Sequence, residues 1–290
     1  MLEFRDIELN DKPLADKHLR YSDYMGCEYS FGNNYTWKDI YNLKVCDTKD
    51  FYLLENIYGF IFPAGEIDIK YLIEELKKYT YKKNKPLCFS SMNREKMELL
   101  VSLYGDSVMI ESNRDLYDYI YTFEALSTLS GKKLHSKRNH LNRFRENNWS
   151  YEPVGSKNID ECVAMSQKWC EINKCGKDSD KAAEICAVNL GLKHYFDLGF
   201  KGGLLRVDGE VQAFTFGEHL NSSAFVVHAE KAFTEFQGTY PAINYEFVNH
   251  ECSGYKYINR EEDMGEPNLR KAKLSYKPEI FVEKYKVTFK

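Results

Sequence analysis

Residues 202–230 read GGLLRVDGEVQAFTFGEHLNSSAFVVHAE, and this stretch decides the fold of the C-terminal half. Two apolar runs, 202–207 and 210–217, flank Asp208-Gly209, a dipeptide that tolerates the positive backbone angles of a two-residue hairpin turn. Residues 222–230 supply a third strand. Downstream, 237–252 reads as a helix entered from a loop, 255–258 as a short strand, 268–276 as a helix and 280–289 as a last strand. The order is three antiparallel strands, a loop, then helix, strand, helix, strand.

Upstream, residues 50–63 are aromatic and branched and suit a strand pair turning near Glu55 and Asn56. Leu72, Ile73 and Leu76 fall at helical spacing within 69–80, and 93–104 reads as a second helix between short strands at 86–89 and 107–110. Strand character continues through 117–124, and the composition changes at Ser127, where a basic helix begins. A strand at 149–153 precedes two helices, one capped by Asn158 or Asp160 and one after Ser179. A length of 290 residues suits two domains, placed at 1–147 and 148–290. Both read as mixed sheets flanked by helices, an α/β (α+β) class.

A hydrophobic fraction of 43% supplies material for real cores and sets disorder aside. A net charge of −4 argues against a general nucleic-acid coat and leaves room for a local basic patch. No apolar run is long enough to cross a bilayer and the N-terminus lacks the order of a signal peptide, so a cytoplasmic location is expected. The eight cysteines are then expected as reduced thiols. His250-Glu251-Cys252 begins like a zinc-protease helix, but Gly254 stands where the second histidine belongs, and Cys170 and Cys175 have no matching pair. No metal site is expected, and no Walker, dinucleotide or nucleophile-elbow glycine pattern is present.

The block YKYINREEDMGEPNLRKAKLSYKP at 255–278 resembles the C-terminal catalytic domain of the bacterial phosphatidylglycerol lysyltransferases, and LSGKKLHSKRNHLNRF at 129–144 resembles their soluble relatives. The resemblance covers roughly residues 50–290. It implies two tandem GNAT-like acyltransferase domains, as in the Fem-type aminoacyltransferases, and the strand order above is that of a GNAT core. Nothing resembles that family's membrane-spanning part, so a small-molecule or peptide amine is the expected acceptor, with oligomeric state open.

By the same resemblance, Gln237, Gly238, Thr239 and Tyr240 stand where a GNAT enzyme binds the pyrophosphate of acyl-CoA (acetyl-CoA and longer), with peptide amides and a helix N-terminus as the attraction. Asn259 stands where such enzymes contact pantetheine, and Tyr276 near the leaving thiolate. Asp263, Arg270, Lys271 and Lys273 form the block most like the lysyltransferases, expected to line the donor or amine site. Read from the residues alone, His228 and Glu230 lie two apart on one strand, hence on one face, and are general-base candidates together with Glu246. The basic helix carries Lys132, Lys133, Lys137, Arg138, Arg143 and Arg145, a footprint for the nucleotide of CoA or for tRNA. Three readings stand: an acyl-CoA N-acyltransferase, an aminoacyl-tRNA-dependent transferase, and a binding module that keeps the fold without the chemistry.

Overall fold

The computed structural model describes residues 2–175 and 179–290, and its strands fall into two seven-stranded sheets. The first holds β1 (Arg5–Asp6), β2 (Lys44–Asp47), β3 (Phe51–Asn56), β4 (Gly59–Gly65), β5 (Cys88–Met92) and β6 (Val108–Ser112). The second holds β7 (Asp118–Thr122), β8 (Trp149–Pro153), β9 (Lys201–Val207), β10 (Glu210–His219), β11 (Ala224–Ala232), β12 (Tyr257–Asn259) and β13 (Ile280–Val282). The last strand, β14 (Tyr285–Phe289), returns to the first sheet.

The sheet orders are β1-β2-β3-β4-β5-β14-β6 and β13-β7-β12-β11-β10-β9-β8. Each sheet has four antiparallel strands, β1 to β4 and β8 to β11, followed by a parallel neighbour, β4 with β5 and β11 with β12. Each then accepts a strand from the other half of the chain: β14 between β5 and β6, and β7 between β12 and β13. The expected strand at 280–289 is therefore two strands in two sheets, and the sheets change over at 113–117, upstream of the expected boundary at 147/148. Residues 118–147 build the second sheet and its covering helices. Periodicity registers that a segment is a strand; which sheet it joins depends on burial against partners far away in the chain.

Both crossovers are held by charge. Lys284, in the link between β13 and β14, is 2% exposed and lies 2.6 Å from Asp118, at the start of β7, and 2.7 Å from Glu28. Burial alone would lower its pKa, but Asp118, Cys27, Glu28 and Glu262 around it hold the ammonium well above its usual range. Cys27, Asp118 and Glu262 bring ligand-type atoms within 4.8 Å of one another, and the Lys284 ammonium already supplies positive charge there.

Local chemistry explains the flanking elements. Asp68 caps the helix Ile69–Lys82 by accepting from the amides of Lys70 and Tyr71, and Leu72, Ile73 and Leu76 are buried, worth roughly 1.5–3 kcal/mol each. Asn93 caps Arg94–Tyr104 in the same way. Asp208 and Gly209 both take positive φ, as the hairpin reading requires. Phe31 and Tyr35 from the first half pack with Leu204, Phe214 and Phe216 from the second, one core shared between the sheets. The opposite face of the second sheet packs Phe225 and Val227 against Phe247, Leu141 and Phe144. Among the described residues, no helix is long and apolar enough to cross a membrane.

Candidate functional site

β11 and β12 pair only where Ala224–Val226 meets Tyr257–Asn259. β11 then runs on to Ala232 while the chain after Asn259 turns away, so the two parallel strands splay. Side chains from both strands occupy the gap this leaves.

His228 and Glu230 do not share a face. Phe216 pairs with Ala229 and Gly217 with Val227, so His228 is an extra residue without a partner, a β-bulge that turns everything after it over. His228 faces the first half of the chain: its Nε2 lies 3.0 Å from Glu218 Oε1 and its Nδ1 2.8 Å from Glu261 Oε1. Gly32 completes the arrangement by donating its amide to Glu218 at 2.7 Å, an approach a Cβ would block at 2.4 Å. Burial works to lower the His228 pKa, but bonds to Glu218 and Glu261 outweigh it and push it up to about 9. At neutral pH His228 therefore holds its proton between two carboxylates, as an orienting cation rather than a free base.

Glu230 faces the other way. Its carboxylate takes Arg260 Nη2 at 3.0 Å and Asn244 Nδ2 at 3.2 Å. Arg260 Nη1 and Asn244 Oδ1, flanking it, are buried and have no hydrogen-bond partner. Tyr276 lies beside Arg260, whose guanidinium stands 5.0 Å from its ring centroid, and burial raises the Tyr276 pKa, so its hydroxyl stays protonated. Lys137 reaches in from the helix His135–Phe144, with Nζ 4.0 Å from the Tyr276 ring, and burial together with Arg260 pushes its pKa down to about 8. One unpaired donor and one unpaired acceptor thus lie beside a carboxylate in a buried polar cluster at the splay.

The remaining expected residues are placed as follows. Gly238 has a φ of 95° ahead of the helix Thr239–Glu251, and a Cβ on it would meet the His140 carbonyl oxygen at 2.1 Å. The loop is thus packed under the basic helix, with Gln237 exposed, Thr239 turned back onto Phe236 O, Tyr240 half-buried and Pro241 lacking an amide. Asn259 is fully used, donating to Met25 O and Asp118 while accepting from the Glu261 amide. Lys273 donates to the carbonyls of Arg260, Glu261 and Glu262, tying the turn after β12. Asp263 is fully buried and bound by Arg270, Tyr119 and the Gly265 amide, and Arg270 also reaches Asp115. Glu246 is paired with Arg145 at 2.9 Å, and Lys271 is exposed. Arg138 donates to the carbonyls of Leu129 and Gly131, a structural bond within its own loop, whereas Lys132, Lys133 and Arg143 are exposed.

Of the expected residues, Glu230 and Tyr276 come together; Arg260, Asn244, Glu218 and Glu261 complete the two networks and were not singled out by sequence. A signal existed for two of them. Arg260-Glu261-Glu262-Asp263 is a run of four charges directly after a buried strand, which a solvated loop does not require.

The family model for the C-terminal part of phosphatidylglycerol lysyltransferase matches residues 19–288. The chain belongs to this family. As a lysyltransferase C-terminal-family member it is 36% identical to a conserved protein of unknown function from Bacteroides thetaiotaomicron, each chain covered completely, with a TM-score of 0.95. The structure of L-PGS from Bacillus licheniformis shares the fold at 14% identity, covering 92% of this chain and 94% of that one, with a TM-score of 0.62. An uncharacterized protein of Mycoplasmoides gallisepticum is 27% identical over 199 residues, 66% of this chain but only 61% of that protein's length. The family is that of the C-terminal part of phosphatidylglycerol lysyltransferase, and the mixed α/β fold of two sheets is shared with L-PGS.

Proposed function

We propose that this chain is an aminoacyl-tRNA-dependent aminoacyl transferase acting on an amine acceptor. The observation that carries the reading is the seat of the basic helix: the His140 carbonyl lies on Gly238, so the loop expected to hold a CoA pyrophosphate lies beneath that helix. Phosphates approaching from outside meet the exposed Lys132, Lys133 and Arg143 first, as an acceptor stem would. This reading seats the aminoacyl end at the polar cluster of the splay. Its ammonium complements Glu230 and the free Asn244 Oδ1, and its ester carbonyl complements the free Arg260 Nη1.

In the transfer, the acceptor nitrogen forms a C–N bond to the ester carbonyl carbon and the C–O bond to the terminal ribose breaks; of the two protons the acceptor ammonium loses, one ends on the ribose oxygen, restoring its hydroxyl, and one passes to solvent. The Tyr276 hydroxyl, kept protonated by burial, is the donor this reading assigns to the leaving ribose oxygen. Filter binding and single-turnover transfer with charged tRNA test the proposal. Arg143→Glu is expected to weaken tRNA binding at least several-fold with a reduced salt slope, and Glu230→Gln to lower transfer while binding persists. Unchanged binding in Arg143→Glu together with saturable binding of acetyl-CoA would overturn it in favour of the acyl-CoA reading. Tight tRNA binding with no transfer to any amine would favour the non-catalytic module.

A further inference from the structure

A hollow lies where the two halves of the chain meet, on the His228 side of the second sheet. It is a cavity of about 240 Å³ bordered by the helix Lys12–Ser22, by residues 29–31 and by the end of β10. That is smaller than the roughly 300–1,000 Å³ of drug-sized pockets and suits a molecule of amino-acid size. Lys12, Asp16 and Arg20 recur every four residues, so one line of the helix presents a cation, an anion and a cation to it.

The charges are incompletely matched. Lys12 Nζ lies 2.8 Å from Asp16 and Arg20 4.0 Å from the same carboxylate oxygen, so two cations share one anion. On the facing wall Glu218 is 6% exposed, and both of its hydrogen bonds, from Gly32 and His228, use Oε1. Oε2 is the oxygen it can offer to the cavity it lines. Tyr29, also in the wall, is 3% exposed and its hydroxyl has no partner. Leu19 and Phe31 supply apolar surface between these ends.

We propose that this cavity binds a free zwitterionic amino acid, its carboxylate on Lys12 and Arg20 and its ammonium on Glu218 and Tyr29. Glu218 links the cavity through His228 to Glu261, whereas the Glu230–Arg260 pair lies on the opposite face of the sheet.

The test is calorimetry on the full chain with glycine, lysine and glutamate, each also as the methyl ester and as the N-acetyl form. The free amino acids are expected to bind saturably and each blocked form at least about tenfold more weakly, since each loses a charge-assisted contact. The double variant Lys12→Gln/Arg20→Gln is expected to bring the free form down to the ester's affinity and leave the ester unchanged. Saturation by none of the free amino acids, or equal affinity for free and blocked forms, would overturn the proposal, and the ligand series on the unaltered chain decides this without the variant. Arg143→Glu should leave the calorimetry unchanged, so a failure of tRNA binding and a failure of this site read out separately.

Discussion

Gly238→Ala tests the contact on which the choice of donor rests. At a φ of 95°, any L residue pays a left-handed backbone cost of about 1–2 kcal/mol. The new Cβ would also lie 2.1 Å from the His140 carbonyl oxygen, a backbone atom that moves only if the basic helix moves. Overpacking of this kind adds about 1–3 kcal/mol, for a total of roughly 2–5 kcal/mol. Gly209→Ala is the matched control, with a φ of 87° and nothing within 4 Å of the added Cβ. It carries the backbone cost alone. Urea unfolding of both variants is expected to show Gly238→Ala the less stable by about 1–3 kcal/mol, with tRNA binding reduced in that variant only. If the two agree within about 0.5 kcal/mol, the helix does not sit on the loop and the argument against a CoA pyrophosphate there is lost.

Three further outcomes are expected. Because the His228 pKa is raised from an unfolded value near 6.5 to about 9, its stabilising contribution, on the order of 3 kcal/mol, is complete below about pH 6.5 and lost as pH rises through about 9. The stability gap between the unaltered chain and His228→Gln should therefore shrink between about pH 6 and pH 9.5, and a flat gap would refute the doubly bonded imidazolium. Reductive methylation with carbon-13 and NMR titration should reveal one lysine with a midpoint of about 8, absent in Lys137→Arg; no lysine titrating there would remove Lys137 from the polar cluster. Arg138→Ala should cost about 1.5–3 kcal/mol of stability through its lost carbonyl contacts, yet leave tRNA affinity near that of the unaltered chain, unlike Arg143→Glu.

Much of the architecture was legible because local chemistry determines it. The Asp208-Gly209 turn, the caps at Asp68 and Asn93, and the periodicity of Leu72, Ile73 and Leu76 each follow from groups a few residues apart. The strand–helix alternation that resembles a GNAT core follows from the same rules. The blocks at 129–144 and 255–278 pointed to the family whose model matches residues 19–288.

Tertiary structure decided what depends on distant partners. The exchange of β7 and β14 between sheets is invisible to periodicity, because either strand would bury equally well in its own half; Lys284 against Asp118 marks the choice. The bulge at His228 separated two residues that strict alternation places together, since a single extra residue inverts every side chain after it. The roles of Asn259, Lys273, Asp263 and Arg138 changed for a related reason. A polar side chain reads as available until its partners are known, and here the buried carbonyls and carboxylates of other segments consume them, while Arg260 and Asn244, which the sequence did not single out, are among those with bonds still to make.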